Sequence, residues 1–295
     1  MIDKLLRIAF ALPAQRRVAV TVAACSLVLL AASPAQAGLK IRPVFRGGLP
    51  PTTDCTGLPP TDCKMVGGGD LEEIFKVAAE AWEAVFKGGS GNWDVTIEFE
   101  WHNIGQGAWG RVARGTPTYG GNNPVRITGG LLEFNNAPSD PGFFADPTPR
   151  DSTEYKKYSS YLLDEVPLSH GRIFSEATGD AAGRIDLLTV ATHEIGHLLG
   201  FDSNYAGYVC APRDGQVGCF LTITEPRPFA GLGIPLHPQS NHIYEVFFAT
   251  GTQPLMVIDP QPGERQLISG LDALAVAQFS SFDKPILSLT LPPPW

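Results

Sequence analysis

The segment 192–202 reads THEIGHLLGFD, and it decides what this chain can fold into and do. On a helix, residues four apart lie on one face, so His193 and His197 can direct ring nitrogens at one metal ion. Glu194 is rotated away from that axis and would face a water on the metal rather than the metal. The segment therefore predicts a helix that carries a metal site with an adjacent general base. The alternative is a chance match on a solvated helix.

The surroundings of this segment favour the metal site over a chance match. Asp186 can cap a helix that presents apolar residues up to Leu198. Gly200 can then end the helix in a left-handed conformation and turn the chain sharply under the metal.

Together with a second segment, this pattern resembles the metzincin clan of zinc endopeptidases. The clan pattern is His-Glu-x-x-His-x-x-Gly-x-x-His, followed by a tight turn with a methionine beneath the metal. Residues 254–260, PLMVIDP, are similar to that Met-turn and supply Met256, and residues 267–279 are similar to the helix that follows it in matrixins. The resemblance implies Zn²⁺ held by His193 and His197, with Glu194 as the catalytic residue.

The fold class that the resemblance implies is α+β. A twisted mixed sheet with the active-site helix would form the upper part, about residues 38–200. A smaller, mostly irregular lower part with a final helix would occupy about residues 201–295. Together they would form one metalloprotease catalytic domain.

The third metal ligand departs from the clan pattern, which asks for histidine where this chain has Ser203. Serine is a poor zinc ligand. Asp202 could serve if the turn were rearranged, since zinc accepts carboxylates. Alternatively, an insertion displaces the third histidine, as in the leishmanolysin branch. We favour His242, which lies shortly before Met256.

Two other functions are compatible with parts of the sequence. A gluzincin would use Glu225, Glu245 or Glu264 as third ligand, but it expects that glutamate on a second helix, and Pro and Gly crowd Glu225 and Glu264. A catalytically silent binding or adhesion protein could retain the metzincin fold. The presence of Glu194 argues against it.

The N-terminus predicts export. Residues 1–37 contain Arg16 and Arg17, an apolar run of residues 18–32, and the small-residue cleavage site AQA. The run is short of the roughly 20 residues that span a bilayer, so no membrane association is expected after cleavage. A secreted or periplasmic location follows, with residues 38–295 as the catalytic domain.

Net charge indicates which partners are disfavoured, and the number of cysteines indicates which disulfides can form. The chain carries a net charge of −8, and removal of residues 1–37, with four Lys/Arg and one Asp, gives −8 − 3 = −11. An acidic surface repels phosphate backbones, so nucleic acid is not an expected partner. We expect a monomer that acts on proteins or peptides. Four cysteines remain; three pairings are possible, and Cys55 with Cys63 and Cys210 with Cys219 is favoured.

Periodicity gives the remaining predicted elements. A helix capped by Asp70 should run to about residue 87, and strands should cover residues 93–101 and 125–134. By the resemblance, strand 125–134 is the candidate sheet edge for substrate. Residues 38–69 should form an extended arm with little core and residues 135–161 a surface loop. Ser269 and Asp272 have capping-box spacing for a last helix. A Ca²⁺ site is considered at Asp140, Asp146 and Asp151.

Overall fold

Apolar and polar side chains alternate along residues 92–102, which form a strand with one buried face. The five odd-numbered residues from Trp93 to Trp101 are buried, whereas their even-numbered neighbours are exposed or half-buried. Successive side chains of a strand point to opposite faces, so this strand has one face toward a core and one toward solvent.

The computed structural model describes most of the chain after residue 37. The described ranges are 38–51, 65–87, 92–105, 108–118, 126–137, 141–163, 167–203, 205, 207–212, 218–224, 229–238, 240–249, 251–257 and 260–282. The predicted signal peptide, residues 1–37, lies outside them, as do Cys55 and Cys63.

Within these ranges the chain is a mixed α/β protein with three α-helices and several small sheets. The helices are α1 (Leu71–Val85), α2 (Leu187–Leu198) and α3 (Gly270–Ser280). The strands are β1 (Gly38–Gly47), β2 (Asn92–His102), β3 (Gly110–Thr118), β4 (Arg126–Asn135), β5 (Phe143–Phe144), β6 (Tyr155–Leu162), β7 (Ser169–Ala177), β8 (Ile185–Asp186), β9 (Ala211–Pro212), β10 (Cys219–Thr222), β11 (Gly233–Leu236) and β12 (Arg265–Gln266).

The largest sheet has four strands in the order β1-β2-β4-β3. Strands β1, β2 and β4 are parallel, and β3 is antiparallel to β4. The prediction that strand 125–134 is the free edge is wrong, because β4 pairs on both sides. Strand β3 lies at that end of the sheet instead. Its two glycines and its proline interrupt the alternation of β-branched and aromatic residues that is typical of a strand.

Two segments predicted as irregular contribute to the fold. The first ten residues of the arm form β1, which pairs with β2 along its length and buries Leu39 and Ile41. The loop predicted at residues 135–161 ends in β6, which forms a hairpin with β7. Tyrosines in β6 recur every three residues (Tyr155, Tyr158, Tyr161) rather than every two, which hid the strand.

Both predicted helices on the sheet are confirmed, with their caps. The Asp70 carboxylate accepts from the Glu73 N–H at the start of α1, and Asp186 accepts from the Thr189 N–H at the start of α2. The helices contact each other and the sheet. Trp82 of α1 donates its indole N–H to the Thr192 carbonyl of α2 at 2.8 Å, within the core. This bond joins α1 to the backbone beside His193.

The C-terminal part is built from short strands and α3. Its predicted capping box is present, with both the Ser269 and the Asp272 side chains bonded to backbone N–H groups. Arg126 of β4 donates to the Ser280 and Ser281 carbonyls and so ties the end of α3 to the sheet. Within the described residues, no helix combines the length and apolar character needed to cross a bilayer.

A buried ion network fixes the start of α2. The guanidinium of Arg265 donates to both oxygens of Asp186, the N-cap residue of α2, and to Asp146, and all three side chains are at most 1% exposed. Asp146 is thereby engaged, and Asp151 caps its own turn through Thr153. Asp140 lies outside the described residues. The described residues therefore do not support the predicted Ca²⁺ site.

Replacement of Arg265 should be far more costly than replacement of an exposed arginine. Arg265→Met leaves two buried carboxylates without their cation, and we expect a loss of about 3–5 kcal/mol in the free energy of unfolding. Arg42→Met, which removes a pair exposed at 64% and 55%, is the control and should cost about 0–1 kcal/mol. Urea denaturation of both variants measures the difference. Equal losses would contradict a structural role for the network.

Candidate metal centre

Three imidazole rings converge at the C-terminal end of α2. His193 Nε2 lies 3.0 Å from His197 Nε2 and 3.1 Å from His242 Nε2. The His193 and His197 rings come from successive turns of one helix, and His242 arrives from a distant loop. One nitrogen from each ring lies within 4.8 Å of the others, so the three could hold a metal ion.

In His193 and His197, the hydrogen bond made by Nδ1 determines which way Nε2 points. His193 Nδ1 is 2.8 Å from the Leu255 carbonyl, and His197 Nδ1 is 2.7 Å from the Phe201 carbonyl. A carbonyl only accepts, so each Nδ1 must carry the hydrogen. In the neutral rings both Nε2 atoms then present lone pairs to each other at 3.0 Å, an arrangement that needs a cation between them.

Burial makes a proton a poor choice for that cation. It lowers the pKa of His193 to about 3 and also lowers the pKa of His197 and of His242, where the neighbouring imidazoles add to the effect. The rings are therefore neutral near pH 7, which is the form in which histidine binds a metal.

The donor set fits a small dication of the zinc type. Tetrahedral zinc with bonds of about 2.0–2.1 Å to nitrogen separates its ligands by about 3.3–3.4 Å, close to the 3.0 and 3.1 Å between His193 Nε2 and the other two nitrogens. Ligating histidines usually donate the other ring N–H to a carbonyl or carboxylate, as His193 and His197 do. His242 Nδ1 is buried and has no hydrogen-bond partner among the described residues.

Backbone hydrogen bonds bring His242 to the site. Leu236, the last residue of β11, bridges to Ile243, and the His237 N–H donates to the His242 carbonyl. On the other side, the Ile243 N–H donates to the Met256 carbonyl at 2.7 Å. His242 is thus carried on a short loop that is fastened both to β11 and to the turn containing Met256.

Ser203, which occupies the position of the third histidine in the clan pattern, is bonded to the segment that carries His242. The Ser203 N–H donates to the Asn241 side-chain oxygen at 2.9 Å, so the chain that leaves after α2 returns to that point one residue before His242. The structure groups His242 with the helical histidines, as predicted. Asp202 does not belong to the group, and neither does Glu245 or Glu264; Glu225 lies outside the described residues.

Met256 packs against Gly196, the residue of α2 that directly precedes His197. A Cβ at Gly196 would overlap the Met256 sulfur and lie 3.1 Å from the Trp82 ring. Only glycine therefore lets the turn approach α2 this closely. Gly200 has φ of 147°, and a Cβ there would lie 2.8 Å from the Phe279 side chain, which confirms that glycine is needed to leave the helix.

Asp272 holds the Met256 turn and was not identified from sequence as a site residue. Its buried carboxylate accepts from the Leu255 N–H at 3.1 Å and from the Met256 N–H at 3.0 Å, in addition to Ser269. Burial raises the pKa of Asp272, and these hydrogen bonds oppose that shift. Because the Leu255 carbonyl binds His193, the carboxylate at the start of α3 helps to orient a ring of α2. The capping-box spacing was the only sequence signal.

Glu194 lies against the first residue of the edge strand. A Cβ at Gly110 would lie 2.8 Å from Glu194 Cγ and 3.0 Å from its Oε1. Burial raises the pKa of Glu194 to about 8, and a dication bound nearby would oppose that shift. Strand β3, which the sequence did not predict, therefore lies directly beside this carboxylate.

The predicted Cys210–Cys219 disulfide is present as a close pair. Cys210 and Cys219 are at disulfide-bonding distance, with Cα atoms 5.2 Å apart. The pair closes the loop between β9 and β10 that precedes the His242 segment. Comparisons of the chain with protein families, with curated proteins and with solved structures found no match.

The third ligand can be identified by single replacements. His242→Ala removes one of three donors, and we expect zinc affinity to fall by at least 100-fold. Asp202→Ala is the matched control and should retain affinity within about threefold. Competition with a chromophoric chelator measures both constants. Unchanged affinity in the His242 variant would exclude this residue as a ligand.

The contact between Gly196 and Met256 predicts coupled substitutions. Gly196→Ala gains about 1 kcal/mol of helix propensity but overpacks the core by about 1–3 kcal/mol. Met256→Ala alone should cost about 2–5 kcal/mol. Met256→Ala removes the side-chain atoms with which the Cβ of Gly196→Ala would overlap. The double variant should therefore be at least about 0.5 kcal/mol more stable than additivity predicts. Urea unfolding of the four proteins tests this, and simple additivity would contradict the contact.

Proposed function

We propose that this chain is a zinc-dependent endopeptidase with His193, His197 and His242 as metal ligands and Glu194 as the general base. The observation that carries the proposal is the convergence of three neutral imidazoles next to a buried carboxylate. The resemblance of residues 192–202 and 254–260 to the metzincin clan supports the same reaction class. Its substrates would be proteins or peptides outside the cell or in the periplasm.

A zinc ion at three imidazoles supplies Lewis-acid chemistry, which activates a water and polarises a carbonyl. Glu194 follows His193 on α2, so its carboxylate projects beside the imidazole cluster rather than into it. In that position it can accept the proton of the attacking water and later deliver it to the leaving amine. A carboxylate in water-poor surroundings is suited to both steps because its pKa is closer to neutrality.

The position of β3 supports a polymeric substrate. This strand pairs with β4 on one side and lies at the end of the sheet, and its first residue contacts Glu194. An extended peptide can add to such an edge through backbone hydrogen bonds. A peptide bound along β3 would pass the general base, which explains why cleavage within a chain fits this geometry.

The alternative is a binding or adhesion protein that keeps the fold without catalysis. A site that only bound a metal would gain nothing from a carboxylate buried beside it, since burial of such a group is unfavourable. The placement of Glu194 therefore favours the enzyme.

Glu194→Gln should separate the two functions. The amide keeps the size of the side chain but cannot take up a proton, so we expect hydrolysis of casein and of a quenched peptide library to fall by about 10²–10⁴-fold. Zinc content should remain unchanged, since Glu194 is not a ligand in this scheme.

Glu72→Gln, an exposed glutamate of α1, is the control and should retain full activity. A chelator should abolish hydrolysis, and added zinc should restore it. Absence of chelator-sensitive hydrolysis by the unmodified full chain would favour the binding protein. Equal turnover by Glu194→Gln would refute the role of the base.

A further inference from the structure

A second set of metal-ligating side chains lies on the face of the four-stranded sheet that points away from the helices. Phe99 of β2 stacks on Phe75 of α1 at 3.9 Å, so the odd-numbered residues of β2 face the helices. Glu100 and His102 project from the other face. Glu133 of β4 is directly opposite Glu100 in the register of the two parallel strands. These three residues, the Glu100–His102–Glu133 cluster, place one ligand atom each within 4.8 Å of the others.

We propose that the Glu100–His102–Glu133 cluster is a second, structural site for a transition-metal dication such as zinc. His102 Nδ1 lies 3.8 Å from Glu100 Oε1 and 3.9 Å from Glu133 Oε1. These separations exceed those of hydrogen bonds. They are a few tenths of an ångström above the spacing of about 3.3–3.5 Å between ligands of a tetrahedral zinc ion. Small movements of the side chains would therefore bring the three atoms to the spacing that such an ion requires.

The burial of Glu133 is an independent observation that points to a cation. Its side chain is only 8% exposed. Arg111 binds Oε2, while Oε1, on the side of His102, has no hydrogen-bond donor among the described residues. Two carboxylates directly opposite each other on neighbouring strands repel one another, and Arg111 supplies one positive charge for the pair. A cation between Glu100 and Glu133 removes that repulsion.

The donor types select the class of ion. Calcium and magnesium take oxygen ligands, whereas one imidazole with two carboxylates suits zinc and its neighbours. His102 and Glu100 are 50% and 24% exposed, so water can complete the coordination. The hydrogen bond from Arg111 to Glu133 gives the carboxylate an outer partner of the kind that orients metal ligands.

The position of the cluster gives the ion a structural role. It would join β2 to β4 at the end of the sheet where β3 begins, and Arg111 extends the connection to β3 itself. Arg111 directly follows Gly110, which contacts Glu194 on the other face. The ion would thus hold the first residues of the edge strand in place without contacting the imidazole centre.

The test counts zinc ions in the full chain by equilibrium dialysis and mass spectrometry of the metal. We expect two zinc ions per chain in the unmodified protein and one in His193→Ala/His242→Ala, where only the second site remains. In that background, Glu133→Gln or His102→Ala should reduce the remaining affinity by at least tenfold. Glu98→Gln, on the same face of β2 but outside the cluster, should leave it unchanged.

The outcomes separate this proposal from that of the endopeptidase. One zinc ion in the unmodified chain and none in His193→Ala/His242→Ala would overturn the second site and leave Arg111 as the cation that pairs with Glu133. A failure of the imidazole centre would instead leave the ion at the second site intact. Should Glu133→Gln not fold, half-exposed His102→Ala decides: zinc must raise the unfolding midpoint of the His193→Ala/His242→Ala chain, and His102→Ala must abolish that rise.

Discussion

The close approach of two buried imidazole nitrogens, His193 Nε2 and His197 Nε2 at 3.0 Å, is the constraint on which the candidate metal centre depends. Carbonyls fix the opposite nitrogen of each ring as the donor, so His193 and His197 cannot relieve this contact by a hydrogen bond between neutral rings. Burial disfavours a proton at the same place. A bound cation would relieve this contact, and His242 is placed where it could supply a third donor.

The groups that orient these two rings come from distant parts of the chain. The Phe201 carbonyl, reached through the turn at Gly200, orients His197 from within the motif. The Leu255 carbonyl orients His193 and is itself placed by Asp272 at the start of α3. Because these supports belong to the turn after α2, the Met256 turn and α3, the site forms only when those three parts are packed together.

The start of β3 connects the two faces of the large sheet. Gly110 lies against Glu194 on the side of the helices, and the next residue, Arg111, binds Glu133 on the other side. Alternation along a strand makes this possible, since successive residues face opposite ways. The placement of Gly110 and Arg111 at the start of β3 therefore affects both Glu194, beside the imidazole centre, and Glu133, in the Glu100–His102–Glu133 cluster.

The sequence by itself determined the features that depend on short separations. Helix periodicity and caps placed α1, α2 and α3, and the four-residue spacing placed His193 and His197 on one face, because local geometry fixes both. It favoured His242 only by its proximity to Met256. Tertiary structure alone decided that β3 rather than β4 is the sheet edge, that the Ser203 N–H bonds to the Asn241 side chain, and that Glu133 lies beside Glu100 and His102. Those contacts join residues far apart in the chain. Their pairing depends on strand register and on close approaches that only glycine permits, and no local sequence pattern encodes either.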